Sequence, residues 1–280
     1  MSKYNFLEIL LFPPVNLEKK KLKSKITGKT VLITGASSGI GEQLAYQLAS
    51  FDVHLVLVAR TEAKLMTMKN KIEKEGAKVS IFQADLRNEE ELEGLLEFLH
   101  HIPNGLDIIV SNAGISIRRS ICDSLDRYHD FTRTMAINYF APVKLLLSII
   151  PLLKQSKGQV INISTVNTLL IPVPYWAAYQ ASKSAFDTWF RSVAPELNAM
   201  GIATTSIYLP LVKTPMIMPT AAYQNMPAMC PSLVAQIICK SMYTRRHKYM
   251  PWWLLFGQLA STFFRGIWEV LMPGIIKKKG

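Results

Sequence analysis

From Lys29 onward, short β-branched runs alternate with segments of helical period. The runs are Thr30–Thr34, Val53–Val58, Val79–Phe82, Leu106–Val110, Gln159–Ile163 and Ala203–Tyr208. Between them, Gly41–Ser50, Glu62–Lys74, Glu89–His101, Asp130–Leu153 and Tyr175–Met200 repeat their apolar positions at helical spacing. A strand that is apolar throughout is covered on both faces. Such strands alternating with helices predict an α/β fold, a parallel sheet with helices on both sides. Pro151 and Pro195 interrupt two of the helical stretches and are expected to end or kink them.

The two ends follow a different pattern. Tyr249–Phe264 is sixteen residues without a formal charge, followed by Arg265 and Glu269. On a helix, Gln258, Thr262, Arg265 and Glu269 share one side, while Leu255, Leu259, Phe263, Ile267 and Trp268 lie elsewhere. Trp252, Trp253 and Trp268 suit a bilayer interface, and Lys277-Lys278-Lys279 follows. At the other end Tyr4–Phe12 is apolar except for Asn5 and Glu8, then Lys19-Lys20-Lys21, Lys23 and Lys25 follow. Neither stretch reaches the roughly 20 apolar residues a crossing helix needs. The expectation is peripheral attachment to a membrane surface; packing on the body or on a second subunit fits the same pattern.

Charge sharpens this division. The chain has 280 residues and a net charge of +12. Residues 1–30 hold +5 and residues 240–280 hold +7, so residues 31–239 are neutral. A neutral body argues against a nucleic-acid partner. With 49% hydrophobic and 19% charged residues the chain is not disordered. Cys122, Cys230 and Cys239 are too few and scattered for a disulfide framework or a zinc site, so no metal is expected and a reducing compartment is. No secretory signal is evident, which points to the cytoplasm. In a eukaryotic cell Lys277-Lys278 would have the spacing of a dilysine retrieval signal, placing the protein at the face of the endoplasmic reticulum.

The first strand runs directly into Gly35-Ala36-Ser37-Ser38-Gly39-Ile40-Gly41 and then a helix. Glycines there let backbone N–H groups approach a pyrophosphate, and the helix N-terminus supplies its positive dipole end. Asp85-Leu86 ends the third strand, Asn112-Ala113-Gly114 follows the fourth, Asn138 lies on the next long helix, and Tyr179-Gln180-Ala181-Ser182-Lys183 supplies a Tyr-x-x-x-Lys pair. With these motifs in this order, residues 28–215 resemble the short-chain dehydrogenase/reductase family. The resemblance implies a single Rossmann-type doubly wound parallel sheet at 28–248. Amphipathic extensions at 1–27 and 249–280 complete the chain.

The second strand ends Val58-Ala59-Arg60, with no acid to hold an adenosine 2′-hydroxyl. A guanidinium binds a 2′-phosphate, so NADP(H) is the expected cofactor, with Arg60 and Ser37 as the phosphate contacts. The resemblance implies that Gly35, Ser38, Gly39, Ile40, Gly41, Asp85, Leu86, Asn112, Ala113, Gly114, Val212 and Thr214 complete the cofactor site. Asp85 and Leu86 would meet the adenine, and Val212 and Thr214 the carboxamide end of the nicotinamide.

Tyr179 and Lys183 share a helix face, and a nearby ammonium lowers a phenol's pKa toward acid-base use. By resemblance Lys183 also holds the nicotinamide ribose and Asn138 supports a proton relay through water. The family's carbonyl-polarising Ser usually sits about thirteen residues before its Tyr, which here is Val166. Matching the strand instead offers Ser164 or Thr165, with Thr165 at the catalytic position. Pro210-Leu211 replaces the usual Pro-Gly, which predicts a different loop path.

Met216, Met218, Met226 and Met229 lie among Pro215, Pro219, Pro227 and Pro231, and no cation cluster is evident there. The family's equivalent stretch covers the substrate, and methionines adapt to varied apolar ligands. With Tyr175, Trp176 and Leu169–Ile171 this implies a lipophilic carbonyl substrate. The order of features is similar, more loosely, to the fatty acyl-CoA and fatty aldehyde reductases. Alcohol oxidation of sterols or retinoids and a catalytically weak NADP(H)-binding scaffold are the alternatives. The family's habits also allow a homo-oligomer.

Overall fold

A computed structural model describes residues 5–277 apart from 219, 221, 222 and 224. Tyr4, Pro219, Lys278 and Lys279, singled out above, lie outside the described residues.

Seven parallel strands form one sheet: β1 (Lys29–Thr34), β2 (Val53–Ala59), β3 (Lys78–Gln83), β4 (Ile108–Ser111), β5 (Gln159–Thr165), β6 (Ala203–Leu209) and β7 (Lys248–Tyr249). Their order is β3-β2-β1-β4-β5-β6-β7. The winding reverses between β1 and β4, and in such sheets ligands bind beyond the strand ends at the reversal. The helices are α1 (Phe6–Leu11), α2 (Lys19–Ile26), α3 (Gly39–Leu48), α4 (Glu62–Glu73), α5 (Glu89–His100), α6 (Tyr128–Met135), α7 (Ala141–Ser156), α8 (Ala177–Ala199), α9 (Pro231–Thr244), α10 (Leu254–Phe263) and α11 (Arg265–Lys277).

Side-chain alternation splits the core into two layers. Leu55 and Leu57 of β2 pack with residues of α2, α3, α4 and α9, whereas Val56 and Val58 pack with α5, α7 and α8. Both faces are therefore covered, as continuous apolar strands require.

Two prolines expected to end or kink their helices do not end them. Pro151 lies inside α7 and Pro195 inside α8. Both are exposed, so the lost N–H bond faces water. The helices hold because Ile149 and Leu153, and Phe190 and Leu197, bury their inner sides across each proline. The long segment read as Asp130–Leu153 starts at Tyr128 and passes through a π-helical stretch, Ala136–Phe140, before α7.

The N-terminal residues are bound to the body. Leu22 and Ile26 of α2 are fully buried in the layer shared with α9, so its lysines form the solvated side of a packed helix. Phe12 is buried in the same layer. Glu8 of α1 is 4% exposed; its Oε1 pairs with Lys213 Nζ at 2.6 Å and accepts the Ala228 N–H at 3.2 Å. Burial alone would raise the Glu8 pKa, but Lys213 and the Ala228 and Asn5 amides outweigh it and hold the carboxyl low. At the other end Leu254 is buried with Val166 and Tyr208, which fixes the start of α10.

Candidate active site

A cavity of about 600 Å³ opens at the C-terminal ends of the strands around the reversal. It is lined by the loop after β1, the ends of β2, β4, β5 and β6, and one side of α8.

Gly35 and Gly39 sit at φ +67° and +61°, a region that side chains disfavour. Ser38 occupies the N-cap of α3 without a side-chain cap bond, so the first turn's N–H groups are left for a ligand. Ser37, Ser38, Gly39 and Ile40 line the cavity; Gly41 lies behind them against the loop's own backbone. This donor set fits a pyrophosphate.

Arg60 lines the cavity just past β2 and is exposed. Arg87, which belongs to none of the sequence motifs, also lines it. Arg87 holds the Asp85 carboxylate through Nε to Oδ1 at 3.0 Å and an Nη to Oδ2 at 2.5 Å. That contact keeps the Asp85 carboxyl below the usual range, despite partial burial. Asp85 therefore reaches the cavity already paired with Arg87, and the nearby charge of Arg60 lowers its pKa further.

At the end of β4, Thr34 Oγ1 accepts the Asn112 and Ala113 N–H groups, each at 3.0 Å. Asn112 Nδ2 donates to the Thr34 carbonyl at 2.9 Å. These bonds tie the ends of β1 and β4 together, and Ala113 and Gly114 line the cavity beside them. Asn138 does not line it. Its Oδ1 accepts the Ile115 N–H at 3.0 Å, while Nδ2 donates to the Ile115 carbonyl at 3.0 Å and to Ser182 Oγ at 2.9 Å. The Asn138 side chain thus holds the β4 loop to α8. It sits in the π-helical stretch, where such irregularities often serve a site.

Tyr179 and Lys183 project from α8 into the cavity floor. Lys183 Nζ donates to the Ile163 carbonyl at 3.2 Å. The Thr165 side chain lies beside the Tyr179 hydroxyl. Ser164 points elsewhere, donating to Asp187 Oδ1 at 3.1 Å. Tyr208 OH donates to Asp187 Oδ2 at 3.4 Å, behind the cavity. The two neighbouring hydroxyls are thereby separated: Thr165 faces the phenol and Ser164 a buried carboxylate.

Burial pushes the Tyr179 phenol up to about 12, with the Thr165 contact acting against it and Tyr223 adding to the rise. The expectation from sequence is a lowering by Lys183; the direction is upward, with desolvation the largest cause. Burial also brings Lys183 down to about 8, opposed by the charge of Asp187 one turn away. Asp187 is itself raised by burial, with Tyr208, Ser164 and Arg191 pulling the other way.

Val212 and Thr214 line the cavity after β6. Leu211 takes the expected glycine's place without a positive φ. Its carbonyl accepts the Met229 N–H at 2.8 Å, and the Lys213 N–H reaches the Met229 carbonyl at 2.9 Å, so this short bridge sets the loop path.

The outer cavity is apolar. Val173, Trp176, Met216, Tyr223 and Met226 line it, joined by Leu11, Phe12 and Trp253 from the terminal segments. Met229 is in the core instead, and Leu169 and Leu170 turn to the Leu254 cluster. Arg118 stands against Trp176 of this lining. The Arg118 guanidinium lies 4.8 Å from the Tyr175 ring centre and 5.2 Å from that of Trp176. Linear spacing hid it, because Arg118 is far from the methionine segment in sequence.

Residues 29–225 match the family model described as short chain dehydrogenase. A fatty acyl-CoA reductase of Acinetobacter baylyi is 41% identical over 80% of this chain and 76% of its own. One from Mycobacterium tuberculosis is 37% identical over 81% of this chain and 77% of its own. Among solved structures, a short-chain dehydrogenase from Sphingobium yanoikuyae in complex with NADPH has a TM-score of 0.75 at 24% identity, covering 88% of this chain and 95% of that one.

Proposed function

The chain belongs to the short-chain dehydrogenase/reductase family, and on that footing we propose that it reduces long-chain acyl-CoA or fatty aldehyde with NADPH. The observation that carries this is the placement of Thr165, Tyr179 and Lys183 at the floor of a cavity whose outer wall is apolar. The named activity of the two relatives supports the substrate class. Arg60, with no acid at the end of β2, supports the phosphorylated cofactor.

Bound NADPH would supply the hydride. The residues of this chain handle the rest. The α3 N-terminus and the glycine loop would hold the pyrophosphate, and Val212 and Thr214 the nicotinamide end. Thr165 would donate a hydrogen bond to the substrate carbonyl oxygen and fix it beside Tyr179. Tyr179, fully protonated at neutral pH, would pass its proton to that oxygen as negative charge builds. For a thioester the balance is acyl-CoA, NADPH and a proton giving aldehyde, free thiol and NADP+. A second equivalent takes the aldehyde to the alcohol.

Thr165→Val is expected to lower kcat by roughly 10²–10³-fold, the range for losing one such donor. Ser164→Ala should leave kcat within a few-fold and instead cost about 1 kcal/mol of stability, since it removes a hydrogen bond to Asp187. Steady-state kinetics and thermal melting of both variants check this; a larger kcat loss for Ser164→Ala would reverse the assignment.

The overall reading is tested by NADPH oxidation with long-chain acyl-CoAs and aldehydes. Turnover of either is expected, with NADPH preferred to NADH and the preference reduced by Arg60→Ala. Arg118→Ala should raise KM for the acyl-CoA, whose carrier phosphates suit a rim cation, and leave the aldehyde KM unchanged. Bound NADPH without turnover would favour a scaffold, and faster NADP+ reduction with sterol or retinoid alcohols would favour the oxidative alternative.

A further inference from the structure

The exposed large apolar side chains of this protein are concentrated on its terminal helices. On α1, Phe6, Leu7, Ile9 and Leu10 are exposed, Phe6 by 83%. On α10 the same holds for Leu255, Phe256, Leu259 and Phe263. No residue of α11 is buried, and Ile267, Trp268, Leu271 and Ile275 recur on one side at helical spacing. Its charges lie off that side: Arg265 Nε pairs with Glu269 at 3.1 Å one turn on. The two ends of the chain are also joined. Trp252 Nε1 donates to the Leu10 carbonyl at 3.1 Å. The buried Glu8–Lys213 pair fixes α1 against the loop after β6, so its apolar residues are held outward.

We propose that α1, α10 and α11 form one platform that lies on an anionic lipid surface, with the apolar cavity opening beside it. Helix lengths set the mode of contact. At about 1.5 Å per residue α10 and α11 are near 15 and 20 Å long, short of a hydrocarbon core of about 30 Å. The pair is bent by 88°, so it does not make one straight span. The described helix that is long and apolar enough to cross, Tyr128–Ser156, packs on the sheet with Leu145, Ile149 and Leu153 in the core. Short helices with an apolar side lie in the plane of the interface.

Charge fits a lipid surface. Residues 1–30 and 240–280 hold all of the net +12, and Lys19, Lys20, Lys21, Lys23 and Lys25, which follow α1 in sequence, are exposed on α2. An anionic surface complements such lysines by about 1 kcal/mol for each one near it, and the acids of α1 and α11, Glu8 and Glu269, are each paired with a cation. Exposed apolar surface of this extent is uncommon on a monomer without a partner phase. The cavity shares the platform's residues: Leu11, Phe12 and Trp253 line it, next in sequence to Leu10 and Trp252. A lipid-dissolved substrate would thus enter without crossing water. The membrane contact itself does not depend on which carbonyl is reduced.

The test is flotation of the full chain with vesicles of phosphatidylcholine, with and without phosphatidylserine, at low and high salt. The wild type is expected to float with the anionic vesicles and less so in high salt. The triple variant Phe256→Glu, Phe263→Glu and Leu271→Glu should bind roughly 100-fold or more weakly, from three lost apolar side chains. Its turnover of a short, water-soluble aldehyde, or its NADPH binding if no aldehyde is a substrate, should equal that of the wild type, which shows that it is folded. Wild-type protein that stays unbound to anionic vesicles overturns the proposal. So does light scattering that shows a dimer made monomeric by the triple variant, with no flotation of either.

Discussion

Tyr179→Phe is expected to bind NADPH as the wild type does and to lose carbonyl reduction, with kcat down by roughly 10²–10⁴-fold. The substitution removes one oxygen and keeps the ring, so α8 and the cavity floor persist. What goes is the proton donor and its contact with Thr165. Burial pushes the phenol up to about 12. At neutral pH the proton is on the oxygen, the state that reduction consumes. Lys183 adds a pH signature. Burial brings it down to about 8, so its ammonium is present below that pH and lost above. The value of kcat/KM for NADPH reports the free enzyme. It should be level through neutral pH and fall above about 8, as the charge offered to the ribose disappears. A Tyr179→Phe enzyme that keeps a tenth or more of wild-type kcat would show that another group delivers the proton.

Most of the sheet was legible because its strands are apolar on both faces, and that signal survives without any tertiary knowledge. The glycine loop, Tyr179 and Lys183 were legible because each is local: a strand-to-helix turn and two side chains one turn apart. What stayed hidden depends on contacts distant in sequence. Glu8 reads as one acid in an apolar stretch, yet it meets Lys213 and Ala228 more than two hundred residues later. Arg118 reads as half of an Arg-Arg pair in a loop; only folding stacks it on Tyr175 and Trp176. The Tyr179 pKa was misjudged for a related reason. Sequence shows the neighbouring lysine and not the burial that is the largest cause of the shift. That Ser164 meets Asp187 while Thr165 lies beside Tyr179 needed strand geometry, since adjacent residues of a strand face opposite ways.

Gly41→Ala should damage the cofactor site while leaving the reacting groups in place. A Cβ at Gly41 would stand 2.5 Å from the Gly35 carbonyl oxygen, 3.0 Å from Ala36 Cα and 3.0 Å from Asn112 Nδ2. The first two are backbone atoms, so relief requires the turn from β1 into α3 to move. That turn also anchors β4, because Asn112 Nδ2 donates to the Thr34 and Gly35 carbonyls at 2.9 and 3.3 Å. Overpacking of this kind costs about 1–3 kcal/mol. Taken from cofactor affinity, that is roughly a 5- to 150-fold rise in the NADPH Kd. At saturating NADPH, kcat should change far less, since Thr165, Tyr179 and Lys183 lie on β5 and α8. Gly94→Ala is the matched control. Its Cβ would meet only the Phe82 ring edge at 3.6 Å, an ordinary contact. In the middle of α5 it should raise stability by up to about 1 kcal/mol through helix propensity, and leave the Kd alone. Fluorescence titration of NADPH into the two variants and the wild type separates the effects. An unchanged Kd for Gly41→Ala would mean that the dinucleotide does not depend on the close packing of this loop.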